Sequence, residues 1–265
     1  MPNSLVLINT DPRGVATVTL NRPEVNNSYN SEMLQAISEV LSQLASEDRV
    51  RLIVLKGNGS HFQAGADLNW INQVSSLSYE ENIKVSKLTA DTIQSLDSCP
   101  KPTIALIHGS CFGGGTGIVA ACDIAIASFD AVFSISEVRW GLHAGPIIPQ
   151  LINALGVSNT RRFAITGEQF NALQAQKLGL IHEVCEEGEL EDASQPIIDA
   201  ILKNGPNGIQ NTKRIISEVA GLVLENEMYT KLIRNHAYKR SSEEATEGLA
   251  SFIEKRDASW YTDNG

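Results

Sequence analysis

Three short segments of the chain combine small residues with side chains able to move a proton. The first is His61-Phe62-Gln63-Ala64-Gly65-Ala66-Asp67-Leu68. Its small residues, Ala64, Gly65 and Ala66, let a ligand approach the backbone closely. The second is Phe112-Gly113-Gly114-Gly115-Thr116-Gly117, which opens the apolar run Ile118 to Ala121. Backbone N–H groups at a helix start have no intrahelical partner and sit at the positive end of the dipole. They suit an oxygen that gains negative charge during a reaction. The third, Ser136 to Leu142, sets one carboxyl, that of Glu137, among apolar neighbours. Burial favours the protonated form and moves such a carboxyl toward acid-base duty near neutral pH. The residues alone therefore define two backbone-donor sites and one candidate proton carrier.

The elements that must hold these segments can be read from the hydrophobic pattern. Leu5 to Ile8, Val15 to Leu20, Leu52 to Leu55, Thr103 to Ile107 and Ile124 to Ala127 are short apolar runs followed by turn-prone residues, and read as strands. Between them lies a helical pattern over Ser31 to Ala45. There Met33, Leu34, Ile37, Val40, Leu41 and Leu44 recur on one face, with Ser31 as the expected N-cap. Strand and helix in alternation predict parallel strands and an α/β fold. The last convincing strand is Ile181 to Cys185. Beyond about residue 195 the pattern turns helical, with helices expected over Ile197 to Leu202, Ile209 to Leu224, Glu225 to Arg240 and Glu243 to Trp260. The expected division is an α/β core over residues 1–195 and a helical C-terminal region over 196–265.

Composition narrows the function classes. A formal net charge of -10, with no block of Lys and Arg, argues against nucleic acid and anionic membranes as partners. No apolar run reaches the ~18 residues of a membrane span, and the N-terminus has no secretory pattern. Cys99, Cys111, Cys122 and Cys185 form no CxxC pair, and no His cluster has metal spacing, so reduced thiols, no metal and a cytoplasmic setting are expected. Gly115-Thr116-Gly117-Ile118-Val119-Ala120 fits a dinucleotide pattern, but His108 to Phe112 separates it from its strand. A GxSxG nucleophile elbow is missing. Cys111 beside His108 reads as a bystander thiol.

Together the motifs resemble those of the enoyl-CoA hydratase/isomerase, or crotonase, family along almost the whole chain. Asn21-Arg22-Pro23 is similar to its entry motif, and Phe62 to Leu68 to its FxAGADL segment. Gly113 to Gly115 with Cys122-Asp123 resembles its GGG…CD pattern. Thr166-Gly167 through Gly179-Leu180-Ile181 resembles its TG…GLV tract, and Glu247-Gly248 through Arg256 its tail. The resemblance implies a spiral of β-β-α units followed by a helical trimerisation region, and an acyl-CoA substrate. Coenzyme A arrives as part of that substrate, with no separate cofactor. The thioester oxygen is expected between the N–H groups of Ala66 and Gly114, with Glu137 as the acid-base group. Val25, Ala64, Asp67, Leu68, Phe112, Gly113 and His143 are expected along the substrate, with Phe252 and Lys255 at the adenine end of coenzyme A. The assembly implied is a homotrimer or a dimer of trimers.

One departure bears on the reaction. Hydratases of this family usually carry two glutamates; the second matches Glu137 and the first falls at Gly117. The leading expectation is hydration or dehydration of a 2-enoyl-CoA, and the tracts around Cys122 and Glu137 look most like the methylglutaconyl-CoA hydratase branch. On that reading the room left at Gly117 takes a branched acyl chain. The alternatives are a 3-enoyl to 2-enoyl-CoA isomerase using Glu137 alone, and a non-catalytic member that binds acyl-CoA.

Overall fold

The computed structural model describes residues 4–220 and 226–256. It begins with a hairpin in which β1 (Val6–Thr10) runs antiparallel to β2 (Val15–Leu20), Val6 facing Leu20. Helix α1 (Ser31–Ser46) then crosses to β3 (Leu52–Gly57), parallel to β2 with Val15 beside Leu52. Two helices, α2 (Leu68–Ser75) and α3 (Tyr79–Asp97), return the chain to β4 (Thr103–Ile107). Next come β5 (Ser110–Phe112), α4 (Gly114–Ala121), β6 (Ile124–Ser128) and β7 (Val132–Ser134). Short 3-10 turns at Glu137–Trp140 and Gly145–Ile147 precede α5 (Ile148–Thr166), β8 (Phe170–Asn171), α6 (Ala172–Leu178) and β9 (Glu183–Cys185). Helices α7 (Leu190–Lys203), α8 (Pro206–Val219), α9 (Asn226–Arg240) and α10 (Glu243–Ile253) complete the described chain.

The repeating unit is a long strand, a short strand and a helix. The long strands form a sheet in the order β1-β2-β3-β4-β6-β9, and the short ones form a second sheet, β5-β7-β8. After β3 the short-strand position shrinks to one bridge between Gln63 and Cys111. This is the crotonase-like spiral expected of the sequence. The central strands are buried on both faces, which explains the unbroken apolar run of β4. The main core packs α1, α3 and α5 against one face. On the other face Leu190 and Ile198 of α7 cover Leu52, Val54, Ile104, Leu106 and Ile126.

Three details differ from the sequence reading. The N-cap of α1 is Asn30, whose side chain accepts from the Met33 N–H at 3.0 Å, while Ser31 is already helical and its hydroxyl accepts from the Trp70 indole at 3.2 Å. Helix α7 runs across residue 195, so the helical region starts earlier and its first helix covers the sheet. Helix α8 ends at Val219 and α10 at Ile253, short of the expected Leu224 and Trp260, while the start expected at Glu225 lies outside the described residues.

The C-terminal helices are tied to the core at specific points. Asp123 accepts from the Thr103 N–H at 2.8 Å and from Lys213 Nζ of α8 at 2.7 Å. Helix α9 lies along α3, and α10 lies on the Glu137–Trp140 turn. A Cβ added at Gly248 would sit 2.4 Å from the Trp140 backbone, so α10 seats itself there because residue 248 has no side chain.

Candidate active site

The two glycine-containing segments meet beside the bridge between Gln63 and Cys111. Gly65 has a φ of +91°, and a Cβ there would lie 3.1 Å from the Phe112 carbonyl oxygen and 3.8 Å from Gly113 Cα. The 63–66 and 111–114 backbones therefore approach each other through the absence of a side chain. Gln63 braces the turn from inside: its amide donates to the Gly65 carbonyl and accepts from the Gly65 N–H, both at 2.8 Å. Tyr29 bridges to Ala66 by donating its N–H to the Gly65 carbonyl at 3.0 Å and accepting from the Asp67 N–H at 2.9 Å. That pairing leaves the Ala66 N–H pointing away from the ladder.

Gly113 adopts φ 51° and ψ -123°, a conformation suited to glycine, and turns the chain directly into α4. Gly114 is the first residue of that helix, so its N–H has no intrahelical acceptor. Among the described residues neither the Ala66 nor the Gly114 N–H has a hydrogen-bond partner. Both residues line one cavity of about 440 Å³.

Glu137 lines the same cavity. Its 3-10 turn closes on Gly141, and the Leu142 N–H donates back to the Glu137 carbonyl at 3.1 Å. Arg139 anchors the turn by donating to the Gly167 carbonyl at 2.7 Å. The carboxyl reaches Gly113 closely: a Cβ at that glycine would lie 3.2 Å from Glu137 Oε1. Oε2 is buried with no hydrogen-bond partner, and burial pushes the carboxyl up from 4.5 to about 7. A proton carrier poised at that value can both accept and return a proton at neutral pH.

Preorganised donors beside one near-neutral carboxyl stabilise an enolate while a proton moves on the carbon next to it. A family model described as enoyl-CoA hydratase/isomerase matches residues 10–263. The chain belongs to the enoyl-CoA hydratase/isomerase family. A putative enoyl-CoA hydratase of Thermus thermophilus is 30% identical over 94% of this chain and 98% of its own. A peroxisomal Δ(3,5)-Δ(2,4)-dienoyl-CoA isomerase of Arabidopsis thaliana is 32% identical over 78% of each. Among solved structures, an enoyl-CoA hydratase of Shewanella pealeana superposes with a TM-score of 0.80 at 35% identity, covering 97% of this chain and 96% of that one. Members of this family act on acyl-CoA thioesters.

The structure gathers most of the sequence-derived site residues. Val25, Ala64, Ala66, Asp67, Leu68, Phe112, Gly113, Gly114, Glu137 and Phe252 all line the cavity. Asp67 has a structural role there: it pairs with Arg22 at 3.1 Å and caps α2 through the Asn69 N–H at 3.0 Å. Phe252 packs edge-on against Trp140, with ring centroids 4.8 Å apart. His143 and Lys255 are not in the lining. His143 instead stacks edge-on with His236 at 5.7 Å, and its Nδ1 accepts from the Gly145 N–H. Lys255 is exposed just past α10, with φ 53°. Cys111 is buried and its thiol is pushed well up, in keeping with a bystander.

The room expected at Gly117 is already filled. A Cβ there would sit 2.2 Å from Ile147 Cγ2, and Ile147 itself lines the cavity. Gly117 is thus a packing position beneath an apolar wall. Sequence reasoning also missed Tyr29, Trp70, His236 and Arg240. Tyr29 is buried beside Gly114, where a Cβ would lie 2.4 Å from its hydroxyl. The available signal was Tyr29's place between the Asn21-Arg22-Pro23 segment and α1.

Proposed function

We propose that the chain moves a proton along an enoyl-CoA, converting a 3-enoyl-CoA to the conjugated 2-enoyl-CoA with Glu137 as the single proton carrier. The observation that carries this is a buried Glu137 carboxyl whose Oε2 has no hydrogen-bond partner, together with an apolar Ile147 where a second glutamate would otherwise project. Ionised Glu137 takes a proton from the carbon next to the thioester. The released electrons form a dienolate, whose oxygen charge rests on the N–H groups of Ala66 and Gly114. The same carboxyl returns its proton to the far carbon of the former double bond, and the new double bond comes into conjugation. Losing one such donor typically costs about 3 kcal/mol of barrier. Beyond the substrate's own coenzyme A, this chemistry requires no cofactor.

A second reading, hydration of a 2-enoyl-CoA, is favoured by the name of the Thermus relative. It asks Glu137 to take a proton from water and place it beside the thioester without a partner. A methylglutaconyl-like branch has lost its argument from Gly117, since Ile147 fills that space. The exposed Ile215 and Ile216 of α8 support the further proposal of a trimer or a dimer of trimers.

Incubation with 3-hexenoyl-CoA and with crotonyl-CoA, followed by product mass analysis, separates the readings. Isomerisation conjugates the first without changing its mass. Uptake of water by crotonyl-CoA, with 3-hexenoyl-CoA untouched, selects the hydratase. A chain that binds both and converts neither is a non-catalytic member.

A further inference from the structure

Arg240, the last residue of α9, has the largest of the fully buried side chains, at 1% exposure. Arg240 lines the acyl-CoA cavity, yet its Nε and Nη1 are buried with no hydrogen-bond partner. Among the described residues no ion pair reaches it: Asp67 pairs with Arg22, and Glu137 is in no salt bridge. What holds the guanidinium is aromatic. It lies 5.4 Å from the Trp70 ring, which meets Tyr29 edge-on at 6.0 Å. One turn earlier on the same helix face, His236 also lines the cavity, hydrogen-bonded through Nδ1 to Ser86 at 3.0 Å. Burial, with Arg240 and His143 nearby, keeps that imidazole neutral.

A buried cation without an anion is costly, and a planar guanidinium presents a fork of donors matched to a carboxylate. The protein supplies aromatic packing to orient that fork, and none of the described residues supplies an anion to fill it. We propose that Arg240 receives a carboxylate carried at the distal end of the acyl chain, so that the substrate is an ω-carboxylated enoyl-CoA. This rests on the acyl-CoA reading of the cavity. The reach fits an acyl substituent rather than the coenzyme's own phosphates. Tyr29 sits at the Gly114 position and meets the Trp70 ring, over which the guanidinium lies, so two aromatic rings link the oxyanion site to Arg240 along one wall. The diphosphate of coenzyme A lies at the far end of the pantetheine arm.

The test is binding of unreactive thioesters by calorimetry, which needs no turnover. Butyryl-CoA is compared with glutaryl-CoA and adipyl-CoA on the wild-type chain, on Arg240→Met and on Arg240→Lys. The wild type is expected to prefer a carboxylated thioester by about 30-fold or more, the scale for a desolvated charge pair. Arg240→Met should reduce that preference ratio to near one, and Arg240→Lys should restore part of it. Thermal melts verify that each variant is folded. Equal affinity of the wild type for butyryl-CoA and both carboxylated thioesters overturns the proposal, as does a preference that survives in Arg240→Met. If no thioester binds at all, the acyl-CoA reading fails along with it, an outcome distinct from equal binding.

Discussion

Replacing Glu137 by Gln should change how stability depends on pH, in a direction set by burial. The carboxyl titrates at about 7 in the folded chain against 4.5 in the open, because burial disfavours its charge. Below the lower value both states hold the proton and the group costs nothing. Between the two values the unfolded chain ionises while the folded chain does not, so stability falls as pH rises. Above about 7 both are ionised and the full cost remains. At about 1.4 kcal/mol per pKa unit, that cost is about 3 kcal/mol. The assay is urea denaturation of wild type and Glu137→Gln at about pH 5 and about pH 8, at one protein concentration. The stability difference, variant minus wild type, should rise by about 2–3 kcal/mol between those pH values. Parallel pH dependences in the two proteins would refute the burial argument, because glutamine cannot titrate.

Other substitutions test the remaining parts of the site. Gly114→Ala sets a methyl 2.4 Å from the Tyr29 hydroxyl; turnover should fall about 100-fold or more as the donor moves, and unchanged kcat/KM would remove Gly114 from the oxyanion site. Gly117→Glu meets Ile147 at 2.2 Å and should destabilise the chain by about 1–3 kcal/mol or more. The double variant with Ile147→Ala should recover part of that loss by denaturation, and no recovery would deny the Ile147 contact. Arg240→Met removes a buried, unpaired charge and should raise the melting temperature of the unliganded protein; a lower one would mean the aromatic contacts outweigh the cost. Light scattering at micromolar concentration should give a trimer or its double, against which a monomeric mass would count.

Much of the fold was legible because its elements are long and one-faced. The three-and-four spacing from Met33 to Leu44 marks α1 as a helix, and the apolar runs of β2, β3, β4 and β6 mark buried strands. Strands β5, β7 and β8 are two or three residues long, too short to show a period. The cap of α1 was misplaced by one residue because Asn30 and Ser31 are both good capping residues and only the backbone chooses. In the site, small residues and a lone carboxyl marked two backbone segments and Glu137, and the family resemblance singled out Ala66 and Gly114 within those segments. Gly117 misled because a glycine does not reveal which distant side chain, here Ile147, occupies its space. Arg240 was hidden at the end of a helix rich in charged residues, where a cation ordinarily faces water. It is buried where α9 docks on α2 and α3, with Trp70 of α2 against its guanidinium, a tertiary contact with no local signature.

The decisive comparison is the rate of 3-hexenoyl-CoA conversion by wild type and Glu137→Gln, with hexanoyl-CoA binding recorded for both. Expected is a fall in turnover of about 10²–10⁴-fold while binding persists. Near-normal conversion by Glu137→Gln would contradict the assignment of Glu137 as the proton carrier.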